Sequence, residues 1–279
     1  MKHASVIGWP IEHSRSPMIH GYWLKRYGID GAYDKRAVPP EEIETFLGAL
    51  GKHGLAGANV TIPHKEAALR VADEADEAAK AIGAANTLWL DAAGKLQAAN
   101  TDAYGFMTAL ETAAPGFSVK GKTAVLLGAG GAARAILYGL LEAGAGKAII
   151  ANRSRDRAEA LAQSFGPRVA VVDWDAREDA LSGAALLVNT TSLGMTGQPP
   201  LSISLEKLPE DAVVADIVYS PLQTELLKTA SARGLRTVDG LGMLMHQAVP
   251  GFARWFGVRP EVTDELRALL EADLKKEAA

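Results

Sequence analysis

The sequence contains no cysteine. That excludes disulfides, thiolate nucleophiles and cysteine-ligated metal centres, and it fits a reducing cytoplasm. No basic block interrupts the mixed charges, and the net charge is −4. Neither nucleic acid nor an anionic membrane surface is therefore an expected partner. No apolar run reaches membrane-spanning length, because the stretch around Leu126 to Leu141 is broken by glycines and Arg134. The opening Met1-Lys2-His3-Ala4 leads into a short apolar run ending at Gly8, too short for a secretory leader. No His/Glu set has metal-ligand spacing, and neither a G-x-S-x-G elbow nor a P-loop is present. Hydrolysis by a serine triad or by zinc is unsupported. There is no internal repeat and no low-complexity linker, apart from a polar C-terminus expected to fray.

What is present alternates. At 279 residues the chain is long for one domain, and two are expected. In the first hundred residues Ser5–Gly8, Ala58–Thr61 and Asn86–Leu90 read as strands. Pro40–Leu50 and Glu66–Ala81 read as helices, the former with Glu41, Glu42 and Glu44 where the helix dipole favours acids. Ala103–Thr112 reads as a connecting helix ended by Ala114-Pro115-Gly116. A second unit starts at Lys120, with strands expected at Thr123–Leu127, Ala148–Ala151, Val169–Val172, Leu186–Asn189, Val213–Val218 and Arg236–Val238. Helical segments between several of them indicate a doubly wound α/β sheet. Only helical patterns follow, Leu241–Trp255 and Thr263–Lys275, too short for a domain and expected to return to the first unit.

Between Leu127 and Ala135 the apolar run gives way to Gly128-Ala129-Gly130-Gly131-Ala132-Ala133, the pattern G-x-G-x-x-A between a strand and a helix. Such a turn lets backbone approach a pyrophosphate at a helix N-terminus. The next strand ends in Asn152-Arg153-Ser154 rather than in Asp or Glu. An acid there would accept from a free ribose 2′-hydroxyl, whereas an arginine suits a 2′-phosphate. The fingerprint alone also fits a tight turn of any α/β protein, but strand before, helix after and a second strand at about the right distance favour a dinucleotide, and the arginine suggests which one.

Other polar clusters lie at the ends of strand-like runs, where open α/β sheets place ligands. Ser14 and Ser16 sit near a helix start, where one of them caps the helix or both bind a carboxylate or hydroxyls. Asn59 and Thr61 are two apart and face one side of an extended strand. Lys65 follows in the first turn of a helix, against the dipole. It is either a solvated surface charge or a functional group beside the polar strand end; His64 beside it reads as packing or surface. Asn86-Thr87 and Asn100-Thr101-Asp102 come next, and Thr101 or Asp102 would cap the connecting helix. Last come Asp216 to Pro221, and Asp239-Gly240-Leu241-Gly242-Met243 with Gln247.

In this order the clusters resemble the shikimate dehydrogenase family over nearly the whole chain. The matching motifs are Ser14-x-Ser16, Asn59-Val-Thr-x-Pro-x-Lys65, Gly83 to Thr87, and Asn100-Thr101-Asp102. The glycine turn, Asn152-Arg153-Ser154 with Arg157, Asp216 to Pro221 with Thr224, and Asp239-Gly240 with Met243 and Gln247 complete the set. The resemblance implies an N-terminal α/β substrate domain (1–103 plus 240–279) and a Rossmann-type NADP-binding domain (104–239). It implies reversible, NADPH-linked reduction of 3-dehydroshikimate to shikimate in aromatic amino acid biosynthesis. Lys65 and Asp102 would be the catalytic pair. Ser14, Ser16, Asn59, Thr61, Asn86, Thr101, Tyr219 and Gln247 would bind substrate with them. Gly128, Ala129, Gly130, Gly131, Ala132, Asn152, Arg153, Ser154 and Arg157 would hold the cofactor, with Ile217, Gly240 and Met243 near its nicotinamide. Glu77 matches a cofactor-linked position and also reads as an ordinary exposed helix acid.

Departures are few. Gly21 stands where relatives often have Asn, and Ser154 where Thr is common. Ketone reduction needs a hydride to carbon and a proton to oxygen; the cofactor supplies the first and an ammonium group can supply the second. A quinate/shikimate dehydrogenase of broader specificity is the nearest alternative. A non-catalytic metabolite sensor is another, and it would need neither Lys65 nor Asp102. No metal is expected, and the expected assembly is a homodimer or a monomer. The two domains would form a cleft able to close on a hinge.

Overall fold

The computed structural model describes residues 1–277. The expected fraying at the extreme C-terminus falls partly outside the described residues. Contacts divide the chain into two compact units, Met1–Asp102 with Met245–Asp273, and Ala103–Leu244 with the described residues from Leu274. The C-terminal boundary was expected at residue 240. The residues before Met245 group with the second unit because Met243 is buried among Phe106, Ala109 and Leu110. A Cβ on Gly242 would stand only 3.0 Å from the Ala109 Cβ.

The first unit runs β1 (Lys2–Gly8), α1 (Ser16–Arg26), β2 (Gly31–Ala37), α2 (Ile43–Gly48), β3 (Gly57–Val60), α3 (Lys65–Val71), β4 (Glu74–Ala75), α4 (Glu77–Ile82), β5 (Thr87–Leu90) and β6 (Leu96–Ala99). Its sheet has the order β2-β1-β3-β5-β6-β4. β1 pairs in parallel with β2 and β3, whereas β5 is antiparallel to both β3 and β6. Ile7, Ala58, Val60, Leu88 and Ala98 carry its core on one side, against Ile43, Leu47, Ala67 and Ala68 from the helices.

Two helices differ from expectation. Pro40–Leu50 is reduced to α2, followed by a 3-10 turn at Leu50–His53. Glu66–Ala81 breaks in the middle, because two aspartates offer the backbone another partner. Asp73 Oδ2 accepts from the amide of Leu96 at 2.7 Å, and Asp76 Oδ1 caps α4 through the amide of Ala79 at 2.7 Å. The residues between them pair as β4 with β6.

The second unit begins with α5 (Asp102–Ala113), whose first residue belongs to the first unit, and continues with β7 (Thr123–Leu127), α6 (Gly131–Glu142), β8 (Lys147–Ala151), α7 (Arg155–Phe165), β9 (Val169–Val172), β10 (Leu186–Asn189), β11 (Val213–Asp216), α8 (Glu225–Ala232) and β12 (Arg236–Val238). The strands of its sheet all pair in parallel, in the order β12-β11-β10-β7-β8-β9. This is the expected doubly wound sheet. Separate apolar clusters cover its two faces, one with Leu126, Ile136 and Leu140, the other with Val125, Leu127 and Leu187. β11 stops two residues earlier than expected, because Asp216 Oδ1 accepts from the amide of Val218 at 3.0 Å and turns the chain. α9 (Gly240–Phe256) and α10 (Asp264–Glu277) end the chain. Among the described residues no helix is long and apolar enough to cross a membrane.

Candidate active site

Lys65 opens α3 and Asp102 opens α5. An acid suits a helix N-terminus and a lysine does not. The unfavourable end is compensated directly: Lys65 Nζ donates to Asp102 Oδ2 at 2.5 Å. The aspartate side chain is 5% exposed and the lysine 27%, so the pair is anchored on its acidic side and open on its basic side.

Asn86 organises the anchor. Its Nδ2 donates to Asp102 Oδ1 at 2.8 Å. Its Oδ1 accepts from the Thr101 amide at 2.8 Å and from the Thr87 hydroxyl at 3.1 Å, and the Thr101 hydroxyl lies within 3.1 Å of it. Asn100 also meets the start of α5. Its Oδ1 accepts from the Asp102 amide at 3.0 Å, and its Nδ2 donates to Ala84 O at 2.9 Å. The Thr101 hydroxyl donates to the backbone oxygen of Gln247 at 2.8 Å. These residues are nearly all buried, and their polar groups satisfy one another.

Asn59 sits one layer further back. Its Nδ2 donates to Asn86 O and to Thr87 Oγ1, both at 3.2 Å. Its Oδ1 accepts from the Tyr33 hydroxyl at 2.6 Å. Burial pushes the Tyr33 phenol upward, and a hydrogen bond with Ser16 opposes that shift. His20 stacks on the Tyr33 ring, with centroids 3.9 Å apart and planes 11° apart. The imidazole is fully buried, near Trp23, Phe252 and Trp255. Burial lowers its pKa to about 3, with Asn59 opposing, so it is neutral at ordinary pH.

Neither serine is the N-cap residue of α1; that position is Arg15, which makes no side-chain cap. Ser16 is instead the first helical residue, and its amide donates to Ser14 Oγ at 3.3 Å. His64 packs inward, its Nε2 2.8 Å from Val38 O. Glu77 stands on the surface in an i,i+3 pair with Lys80. Every expected substrate residue except Tyr219 lies in the first unit; Tyr219 follows β11 in the second.

In the second unit the glycine turn stands where it was expected, between β7 and α6. Gly128 has φ of +110°, and a Cβ there would lie 2.6 Å from Thr190 Oγ1. Beside Gly130 and Gly131 a Cβ would meet nothing within 4 Å, so the backbone at the α6 N-terminus borders open space. Gly128, Ala129 and Gly130 line a cavity of about 210 Å³ with Asn152, Arg153, Trp174 and Thr190 to Leu193. It lies between the ends of β7 and β10, where the strand order reverses. Arg155 is engaged by Glu159 and Asp173, each at 2.6 Å. Arg153 and Arg157 are exposed and make no hydrogen bond or ion pair among the described residues. The cradle and these arginines suit a doubly charged phosphate beside a pyrophosphate.

Gly240 is pressed against β11's exit, where a Cβ would lie 2.1 Å from Ile217 O. Asp239 Oδ1 accepts from the amides of Leu241 and Gly242 and so begins α9. Met243 is buried in the core. Asp216 accepts from Asn189 Nδ2 and from the Thr224 hydroxyl, and burial raises its pKa to about 6.

Residues 6–88 match the profile of the shikimate dehydrogenase substrate binding domain, and residues 111–196 that of shikimate / quinate 5-dehydrogenase. A shikimate dehydrogenase (NADP(+)) of Azorhizobium caulinodans is 57% identical over 98% of this chain and 97% of its own length. The chain belongs to the shikimate dehydrogenase family. Among solved structures, shikimate 5-dehydrogenase of Thermus thermophilus, in complex with NADP(H) and shikimate, is 36% identical with a TM-score of 0.84, covering 99% of each chain. Quinate dehydrogenase of Corynebacterium glutamicum, in complex with NAD, is 33% identical with a TM-score of 0.89, covering 97% of this chain and 99% of its own. Within this family frame, Tyr33, His20 and Trp174 were missed by motif reading. Tyr33 and His20 carry no strand-end signal, and Trp174 follows a strand without a glycine, among surface charges.

Proposed function

We propose that the chain is an NADP-dependent oxidoreductase that reversibly reduces 3-dehydroshikimate to shikimate. The observation that carries the chemistry is the Lys65–Asp102 pair, 2.5 Å apart, anchored by Asn86 and open on the lysine side. NADPH, when bound, supplies the hydride to the ketone carbon. Lys65, as the ammonium, gives its proton to the carbonyl oxygen as negative charge develops there. Asp102 holds the ammonium in place and offsets its charge. In the reverse direction the same groups accept the hydroxyl proton.

Ser14 and Ser16 bind the substrate carboxylate, and Thr61, Asn86, Tyr219 and Gln247 its hydroxyls. Asn59 and Thr101, also expected as substrate ligands, tie the site together as well, Asn59 through Tyr33, Asn86 and Thr87 and Thr101 through Gln247. The cofactor occupies the cradle from Gly128 to Ala132, with Ser154, Arg153 and Arg157 near its 2′-phosphate and Asn152 at its ribose. Ile217, Gly240 and Met243 form the nicotinamide end. We place the reaction in the cytoplasm, in aromatic amino acid biosynthesis, and the enzyme acts as a monomer or homodimer on small molecules alone.

A single assay tests the reading: absorbance of the reduced cofactor is followed with shikimate or quinate, each with NADP or NAD. Turnover is expected with shikimate and NADP, and much less with the other three combinations. Comparable turnover of quinate would establish the broader specificity instead. No turnover with any combination would refute the enzymatic reading.

A further inference from the structure

Trp174 lines the cavity beside the glycine turn and has no role in the motif. It opens the 3-10 turn Trp174–Ala176, directly after β9. The segment is fixed on both sides. Asp173 pairs with Arg155 at 2.6 Å. Arg177 places its guanidinium 4.8 Å from the indole centroid and donates to Trp174 O at 2.7 Å and to Ser202 O at 2.9 Å. Part of the ring packs against the core around Leu181 and Leu201. The side chain is half-buried and, with Arg153, lines the cavity.

The strand order tells which part of a dinucleotide meets it. From the switch point outward the strands run β7, β8, β9. The β7 end carries the glycine turn, where a pyrophosphate binds. The β8 end carries Asn152 and Arg153, suited to the ribose and its 2′-phosphate. The β9 end carries Trp174. Neighbouring strands are about 4.8 Å apart, so Trp174 stands roughly one nucleoside length from the turn. Beyond the ribose, on the side away from the pyrophosphate, comes the base. We propose that Trp174 forms the adenine wall of the cofactor site, presenting an aromatic surface to the purine. This rests on the NADP reading above and adds the residue that recognises the base.

Base–aromatic contact depends on apolar area and π-surface rather than on hydrogen bonds. Trp174 therefore adds affinity for the adenosine half of either dinucleotide, while the 2′-phosphate choice stays with Arg153 and Arg157. The test uses 2′,5′-ADP, which carries adenine and the 2′-phosphate but no nicotinamide. Titration should quench the intrinsic fluorescence of the wild-type protein. The other tryptophans, Trp9, Trp23, Trp89 and Trp255, remain in W174F, which should bind the probe with little quenching. By calorimetry W174A should bind about 10-fold more weakly, as loss of one such stacking contact predicts. Full quenching in W174F, or an unchanged Kd in folded W174A, overturns the assignment of Trp174 alone. Failure of the wild-type protein to bind 2′,5′-ADP overturns the cofactor reading itself. Should W174A fail to fold, W174F decides, since phenylalanine keeps the ring on the core.

Discussion

Replacing Lys65 by methionine separates its chemistry from its packing. Methionine keeps most of the aliphatic stem and removes only the charged head. Two effects follow, and the structure sets their sizes apart. For stability, the change leaves the Asp102 carboxylate, 5% exposed, with Asn86 Nδ2 as its remaining side-chain donor. Breaking a fully buried pair typically costs about 3–5 kcal/mol and an exposed one about 0–1. The lysine is 27% exposed, so a discounted loss of roughly 1–3 kcal/mol is expected. At about 2–4 °C per kcal/mol for a domain of this size, the melting temperature should fall by roughly 2–12 °C. For catalysis, loss of the proton donor removes roughly 10²–10⁴ from the rate, equivalent to about 3–5 kcal/mol in the barrier. Steady-state kinetics by cofactor absorbance should show kcat down by at least roughly 100-fold, with KM for shikimate changed by no more than about 5-fold. A folded K65M enzyme within about 10-fold of wild-type kcat would falsify the proton-donor role. A raised KM at unchanged kcat would make Lys65 a binding residue only.

Three further outcomes follow from neighbouring geometry. Arg153→Ala should raise KM for NADP by roughly 10-fold or more and leave NAD kinetics nearly unchanged, since the exposed guanidinium is engaged by no other residue among those described; equal losses with both cofactors would remove it from the 2′-phosphate site. Tyr33→Phe deletes the hydroxyl that donates to Asn59 Oδ1, and it should cost roughly 1–2 kcal/mol in urea unfolding while raising KM for shikimate through Asn86 and Ser16; wild-type kinetics and stability would break the proposed chain of positioning. His20 has a folded pKa of about 3 against 6.5 unfolded, so as pH falls the unfolded chain takes up the proton first and stability is lost from about pH 6.5 down to 3. The loss amounts to on the order of 4–5 kcal/mol over that window, and His20→Phe should flatten the acid limb of a urea-midpoint profile; parallel profiles would show that His20 does not titrate with unfolding.

The second unit was the more legible half. Thr123–Leu127, Val169–Val172, Leu186–Asn189 and Arg236–Val238 are strands within the bounds read from the sequence. The central ones are covered on both faces, so they read as short apolar runs bounded by turns. The first unit hid more. β2, Gly-Ala-Tyr-Asp-Lys-Arg-Ala, lies at the sheet edge and is largely polar, so it shows no strand period. β4 is two residues inside what reads as one long helix. That interruption depends on Asp73 and Asp76 finding amides at Leu96 and Ala79, and the first of these is a tertiary contact that no local propensity carries.

At the site, residue type at a strand end located the chemistry but could not divide the labour. Asn59 and Asn86 looked alike in the sequence, two amides beside hydroxyl-bearing neighbours. A side-chain amide has two donor hydrogens and two acceptor positions. Asn59 places its Nδ2 on both Asn86 O and Thr87 Oγ1, so its donors are used. Asn86 places its Nδ2 on Asp102 Oδ1 and keeps a second hydrogen, while its Oδ1 is crowded by the Thr101 amide and two hydroxyls. Asn86 can therefore offer a substrate hydroxyl a hydrogen bond while still holding the Asp102 carboxylate. The two positions should respond differently to the same change. Asn86→Ala leaves the Thr101 amide and the Asp102 carboxylate short of partners, and it should lower kcat as well as stability. Asn59→Ala removes a support from the same oxygen and hydroxyl neighbours, and it should act chiefly on stability and KM. A larger kcat loss in N59A than in N86A would reverse the order of these layers.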